Sequence, residues 1–146
     1  MLEEINKEKT SADHLFYVSL KYTKTCDVIL NLIERWRSLI ELCFEQIIKK
    51  SIKNKIIKKV PPSPKHKVEF IEKTFKKNKE IQEIIPIYTL FKRIPLLPKQ
   101  REGEFRKKVV LKIIEEDKTI EINMNKLKEY YQTVEKFISL VKKDFL

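Results

Sequence analysis

The stretch from Asp27 to Lys59 contains no glycine or proline, and it constrains the fold more than any other part of the chain. Its apolar residues recur at alternating steps of four and three positions, and they are Ile29, Ile33, Trp36, Ile40, Cys43 and Ile47. This spacing places one apolar stripe along one side of an α-helix. A helix over the whole stretch is roughly 50 Å long at about 1.5 Å per residue, so other segments must lie along it to cover the stripe.

Residues 125–145 carry a second apolar stripe with the same spacing. Its members are Leu127, Tyr131, Val134, Ile138, Val141 and Phe145. Asn123 or Asn125 precedes them and is suited to cap the helix. Two long helices with matching stripes are expected to pack against each other, and we expect them to be antiparallel.

A shorter helix is expected near the N-terminus. Leu15, Val18 and Tyr22 recur at helical spacing, which predicts a helix of about a dozen residues from Thr10. Residues 1–9 are mostly polar and are expected to be disordered.

Prolines interrupt the middle of the chain. Those in the Pro-rich segment 60–64 remove amide donors and disfavour helical geometry, so the long helix must end there. Ser63 as N-cap and Pro64 in the first turn predict another helix that runs to about Ile85. Pro86 is then expected to kink or break the helical path of the chain.

The segment 95–104 contains the only glycine and is interpreted as a connector. Residues 105–114 fit a helix by spacing, but residues 109–113 alternate between apolar and more polar side chains. A second alternating run, residues 119–123, follows a polar turn. We therefore favour a small β-hairpin near residues 107–123.

These elements predict a mostly α fold in one domain over residues 1–146. It is a bundle of about four helices, with the two long ones at its centre and the hairpin near its C-terminal end. A chain of 146 residues can bury roughly two thirds of its unfolded surface. The 42% hydrophobic and 36% charged residues fit a globular protein, and the many Ile and Lys beside one Gly resemble thermophile proteins in composition.

Several classes of protein are disfavoured by the sequence. No apolar run approaches the roughly 18 to 20 residues of a membrane span, so we expect no membrane partner and a cytoplasmic location. On one continuous helix, Cys26 and Cys43 would lie about 25 Å apart, too far for a disulfide. Two His and two Cys lack zinc spacing, and one Gly cannot form a phosphate loop, so we expect no metal or cofactor.

The net charge of +11 is concentrated in the middle of the chain. Residues 49–118 carry 21 basic and 9 acidic side chains. Within them, residues 49–67 form a lysine block without any acid, consisting of Lys49, Lys50, Lys53, Lys55, Lys58, Lys59, Lys65 and Lys67. Clustered lysines attract phosphate backbones and gain affinity through counterion release, so this block is the leading candidate for binding RNA or DNA.

A second basic group lies near the predicted hairpin and would extend this surface if the fold brings the two together. It consists of Lys99, Arg101, Arg106, Lys107 and Lys108. Arginine is scarce and no aromatic residue interleaves with the lysine block, so bidentate phosphate contacts and base stacking are not provided for there. The competing interpretation of the block is a solvated helix end that only favours the helix dipole.

Asp13 and His14 are the only candidates for catalysis. A carboxylate beside an imidazole is able to orient a general base. Consecutive residues on a helix point in different directions, however, and catalysis needs groups that converge across the fold. We therefore interpret the pair as part of a helix start, and we do not expect an enzyme.

The outline of a long helix, a companion long helix, two lesser helices and a small C-terminal addition resembles the HEPN helical bundles. These are small prokaryotic and archaeal domains, often associated with nucleotidyltransferases or RNA cleavage. Their ribonuclease members carry an Arg followed closely by a His, whereas here no His follows Arg35 or Arg37 at short range. No Arg shortly precedes His66 either. The resemblance therefore implies a non-catalytic partner role.

The sequence thus predicts a small, non-enzymatic interaction protein that binds nucleic acid, or an acidic protein, through its lysine-rich surface. One alternative is a structural subunit that buries an apolar stripe against a second copy or another protein, with no role for nucleic acid. A second alternative, implied by the resemblance, is a diverged HEPN-like ribonuclease or nucleotidyltransferase partner.

Overall fold

A computed structural model describes all residues from 1 to 146. Helix α1 combines an α-helix (Leu2–His14), a π-helical turn (Leu15–Ser19) and a last α-helical turn (Leu20–Tyr22). The other helices are α2 (Cys26–Lys53), α3 (Pro64–Thr74), α4 (Lys79–Arg93) and α5 (Met124–Asp144). A 3-10 turn (Ile94–Leu96) and the strands β1 (Lys99–Glu102), β2 (Val110–Glu115) and β3 (Lys118–Ile122) lie between α4 and α5. The mostly α fold with a small β part is confirmed, with five helices where about four were expected.

The N-terminal residues differ from the expectation of disorder, because α1 begins at Leu2 and not near Thr10. Ile5 is fully buried in the core. The Lys9 ammonium lies 3.0 Å from the Glu135 carboxylate, which connects α1 to α5. Burial of one isoleucine among polar neighbours gives too weak a periodic signal to be recognised in the sequence.

Helix α2 follows the predicted stripe but ends earlier than predicted. All six stripe residues are at most 2% exposed, and the Thr25 hydroxyl caps the helix by accepting a hydrogen bond from the Val28 amide. The helix ends at Lys53 instead of continuing to about Lys59. Lys55 has a φ of +60°, and the amides of Lys55 and Ile56 bond back to the Ile52 and Ser51 carbonyls at 3.0 and 2.9 Å. These bonds form a Schellman motif, which was missed because glycine usually occupies the left-handed position.

The predicted third helix is divided in two. Ser63 caps α3, as predicted, by accepting a hydrogen bond from the His66 amide. The helix ends at Thr74, and Asn78 caps α4 through a 3.0 Å bond from the Ile81 amide. Pro86 lies inside α4 on its exposed side and does not end it.

The predicted hairpin is present as β2 and β3, with Leu111 paired to Ile122 and Ile113 paired to Ile120. The connector expected over residues 95–104 was wrong in part, because it contains β1. This strand pairs antiparallel with β2 at the sheet edge, in the order β1-β2-β3. Its sequence, Lys-Gln-Arg-Glu, has no apolar alternation to reveal it.

The two long helices pack together but run in the same direction, contrary to the antiparallel prediction. Near the middle of the pair, the Phe44 and Phe137 rings have centroids 5.7 Å apart. Further toward both C-termini, the Gln46 side-chain amide donates to the Phe145 carbonyl at 2.6 Å. Later residues of α2 therefore contact later residues of α5, so the two helices are parallel.

Helix α4 accounts for the parallel arrangement of α2 and α5. It runs antiparallel to α2 and so brings the chain back to the end where α2 begins. Tyr88 packs on Phe44 and Phe91 packs on Trp36, with centroids 5.0 and 6.1 Å apart, so later residues of α4 meet earlier residues of α2. The sheet follows α4 and pairs beside the start of α2, and α5 begins where β3 ends. We call this the sheet end of the molecule, and the opposite end, where α2 and α5 finish, the lysine end.

One cluster of 32 buried apolar residues fills the space between the helices and the sheet. Each of the other four helices contacts α2. No helix combines the length and the apolar character that crossing a lipid bilayer requires.

The buried position of Ile5 gives a test of the N-terminal helix. We expect Ile5→Ala to lower the free energy of unfolding by about 2–4 kcal/mol, because the lost side chain leaves a cavity. Urea denaturation measures the change. Leu2→Ala is the control, since Leu2 is 46% exposed and its loss should cost within about 0.5 kcal/mol. Unchanged stability of Ile5→Ala would contradict the packing of α1.

Candidate nucleic-acid interface

The eight lysines of the lysine block all lie at the lysine end. Lys49, Lys50 and Lys53 belong to the last turns of α2. Lys55, Lys58 and Lys59 belong to segment 54–63 between α2 and α3, and Lys65 and Lys67 belong to the first turn of α3. Six of the eight side chains are exposed and the other two are half-buried.

None of these eight ammonium groups lies within 4.0 Å of a carboxylate, so the block has no ion pair. Some basic side chains elsewhere on the surface are paired. Lys9, Arg37 and Lys112, for example, each pair with two carboxylates. Although Glu45 lines one groove with Lys49 and Lys67, no direct ion pair neutralises the block, and counterions from solvent that gather there can be displaced by a polyanion.

The fold brings further lysines to the same end. The Phe75 ring packs on the Phe145 ring with centroids 5.2 Å apart, which joins the turn between α3 and α4 to the end of α5. The added lysines are Lys73, Lys76, Lys77, Lys142 and Lys143. Sequence reasoning missed the last two because they are more than 70 residues from the block and their neighbourhood is locally neutral.

A largely apolar groove of about 290 Å³ lies beside the block, and it is lined by Met1, Ile48, Ile52, Val60, Lys49, Lys67 and one acid, Glu45. The large apolar side chains exposed nearby are Ile56 and Val60, which are aliphatic. No aromatic residue occurs among residues 49–67. This surface therefore offers charge without a ring on which a base could stack.

The second basic group lies at the other end of the molecule. Arg101 contacts Asp27 at the start of α2, with 2.8 Å between the guanidinium and the carboxylate. Helix α2 has 28 residues, so the two groups are separated by about 40 Å at 1.5 Å per residue. The single extended surface considered from the sequence does not form.

Arg101 is already engaged by acids of the protein. Its hydrogen bond and charge hold the pKa of Asp27 below the usual value, and Asp27 in turn raises the pKa of Arg101. Glu104 contacts the same guanidinium at 3.5 Å. Lys99 donates to the Leu97 carbonyl. Arg106, Lys107 and Lys108 form no ion pair and are exposed, so they are the free cations of this group.

The structure does not bring Asp13 and His14 into a catalytic arrangement. The Asp13 carboxylate accepts a 2.7 Å hydrogen bond from Lys9, and no hydrogen bond joins it to His14. His14 is exposed, and the pair lies at the end of the α-helix Leu2–His14 and not, as we expected, at a helix start. Asp13 therefore stabilises α1 without orienting an imidazole.

The two thiols are also unsuited to chemistry at neutral pH. Burial, with a contribution from Glu104, raises the pKa of Cys26 to about 11. Burial raises the pKa of Cys43 to about 12. Because the thiolate is the nucleophile, both groups are inert in the folded protein. No group of three or more His, Cys, Asp or Glu side chains is arranged to hold a metal ion.

Comparisons of the chain with protein families, with curated proteins and with solved structures find no match. The HEPN-like resemblance stays a prediction from the outline of the chain, and the candidate interface must be argued from its own geometry.

The raised thiol pKa values predict a pH dependence of stability. Above the ordinary pKa of 9.0, the unfolded chain loses the Cys43 proton while the folded chain retains it. The free energy of unfolding should therefore fall as pH rises from 9 toward 11, by at most about 1.4 kcal/mol per pH unit for this group. Urea denaturation at several pH values gives the free energy of unfolding of the wild type and of Cys43→Ala. The difference between the two slopes against pH is the contribution of Cys43.

Alkylation provides the matching control for that prediction. At pH 8, iodoacetamide should leave both cysteines of the folded protein unmodified and should modify both in urea, as detected by mass spectrometry. Rapid alkylation of Cys43 without denaturant would contradict its burial.

Proposed function

We propose that this protein is a non-enzymatic nucleic-acid-binding module that contacts phosphate backbones through its lysine end. The observation that carries the proposal is the group of eight neighbouring lysines without one carboxylate partner. No carboxylate of the chain competes by direct contact with a ligand for these ammonium groups. Phosphates that they neutralise release condensed counterions, which provides most of the affinity in sequence-independent binding.

The composition of the surface indicates what kind of binding it supports. Lysine offers a flexible point charge, whereas arginine is better suited to bidentate contacts with bases and phosphates. All eight cations of the block are lysines, and the groove beside them is aliphatic. We therefore infer contact with the backbone of a duplex, without readout of base sequence.

The alternative of a structural subunit has less support. It was motivated by surplus apolar positions on the two long helices. The stripe of α2 is buried within the chain itself, and so are Leu127, Val134, Ile138 and Val141 of α5. These faces are therefore not available to a partner.

Charge reversal in the block tests the proposal. The variant carries Lys50→Glu, Lys53→Glu, Lys58→Glu and Lys59→Glu, and binding to a fluorescent mixed-sequence DNA duplex is followed by anisotropy at several salt concentrations. We expect affinity to fall at least about tenfold near 0.1 M salt. The slope of log K against log salt should become shallower by roughly three to four, since about 0.9 counterion is released per phosphate contact.

A second fourfold variant controls for the change in net charge. It carries Lys92→Glu, Lys118→Glu, Lys128→Glu and Lys136→Glu, which lie outside both the block and the second basic group. Its loss of duplex affinity should be much smaller. Equal loss in both variants, or wild-type binding that does not weaken as salt is raised, would overturn the proposal. The wild type and both variants are also incubated with RNA, and gel electrophoresis then tests for RNA cleavage, which we do not expect.

A further inference from the structure

A compact loop, residues 103–108, joins β1 to the segment before β2 at the sheet end. The Arg106 amide donates to the Gly103 carbonyl at 3.1 Å. The Phe105 amide donates to the Lys24 carbonyl at 2.6 Å, and Glu104 accepts a 3.1 Å hydrogen bond from the Cys26 amide at the start of α2. The loop is therefore fixed both internally and to the helical bundle.

Gly103 closes this loop. It has a φ of +63°, and a Cβ atom built on it would lie 2.7 Å from the Lys108 carbonyl oxygen. No other residue fits this close approach without a shift of the backbone. The two ends of the loop therefore touch, and its tip is held in one position.

Phe105 stands at the tip in a conformation that is unfavourable in two respects. Its φ is +66°, a left-handed value that is rare for a bulky side chain. Its ring is 74% exposed and packs on no other aromatic ring. The other non-glycine residues with positive φ are Lys55 and Glu116, polar residues that end a helix and form a hairpin turn. The hydrogen bonds of the loop hold the backbone of Phe105 in this conformation, but its ring gains no aromatic contact from it.

The surroundings of the ring are cationic. Arg106, Lys107 and Lys108 follow it directly, are exposed and have no ion pair. The acids nearby are engaged elsewhere, since Asp27 and Glu104 contact Arg101, and Glu102 contacts Lys112. A second ring, Tyr22, is 77% exposed two residues before Lys24, whose carbonyl holds the loop.

We propose that loop 103–108 is a binding site for an unpaired nucleotide of single-stranded nucleic acid. The base stacks on Phe105, and the adjoining phosphates contact Arg106, Lys107 and Lys108. An exposed ring beside a basic track is the combination that single-strand binders use, because every base presents a π-face. The site is separate from the lysine block and requires a base that is not paired in a duplex.

A protein partner is less well matched to this surface. A stable protein interface buries roughly 800 Å² on each side around an apolar centre. Among the exposed residues of the loop, Phe105 alone is apolar. A ring surrounded by free cations instead favours a ligand that is both aromatic and anionic.

Two substitutions of Phe105 test the site with a short labelled oligo(dT) as the probe. Phe105→Gly removes the ring and relieves the left-handed backbone, so its melting temperature should equal or exceed that of the wild type. Its affinity for oligo(dT) should fall by about fivefold to a hundredfold, the effect of losing one stacking ring. Affinity for the DNA duplex should change by less than about twofold.

Phe105→Trp supplies a direct signal from the loop, since the single native tryptophan, Trp36, is 1% exposed and serves as a constant background. Emission from the new tryptophan should be quenched by oligo(dT) and not by duplex. Wild-type affinity of Phe105→Gly for oligo(dT), or unquenched emission at saturation, would overturn the inference. The loop would then not be a nucleotide site, and a protein partner would be the alternative occupant to test.

The two proposals fail independently in these experiments. Quenching that persists in the fourfold variant of the lysine block, together with unchanged duplex binding, would sustain the loop site and overturn the lysine end. If duplex binding depends on salt and is weakened by the block variant, while Phe105→Gly leaves affinity for oligo(dT) unchanged, the lysine end is sustained and the loop site is overturned.

Discussion

Burial of the apolar stripe on α2 is the interaction on which the rest of the structure depends. Trp36 lies near its centre, 1% exposed, with the Phe91 and Phe16 rings at centroid distances of 6.1 and 6.2 Å. The stripe extends along most of a 28-residue helix, and only elements that run beside it can keep water away. All four other helices do so. The connections between helices are therefore confined to the two ends of the bundle.

This arrangement decides where charge accumulates. A lysine cannot be buried without a partner, so the lysines lie on exposed helix faces and in the connecting segments. Because α2 and α5 finish at the same end, and because the turn between α3 and α4 packs on Phe145, lysines from three separate parts of the sequence gather there. Their mutual repulsion is reduced by solvent and salt, and a bound polyanion would reduce it further.

The two basic surfaces differ in how they would hold a ligand. The lysine end presents long, flexible side chains without a fixed ring, which suits a regular phosphate backbone. The loop at the sheet end presents a ring in a fixed position, because Gly103 and the hydrogen bond to Lys24 hold Phe105 in one place. Charge density is the basis of the first surface, and preorganisation is the basis of the second.

The sequence by itself determined what local interactions control. It determined the buried stripe of α2, most of the stripe of α5, the Ser63 cap and the β2–β3 hairpin, because periodic burial and side-chain capping involve residues close in sequence. Tyr131 is the member of the α5 stripe that is only half-buried. Only the tertiary structure decided the shared direction of α2 and α5, the pairing of the wholly polar strand β1, and the separation of the basic groups by about 40 Å. It also decided the exposure of Phe105, which ordinary propensity would place in the core. These features depend on contacts between distant residues, such as Phe105 with Lys24, and no local pattern encodes them.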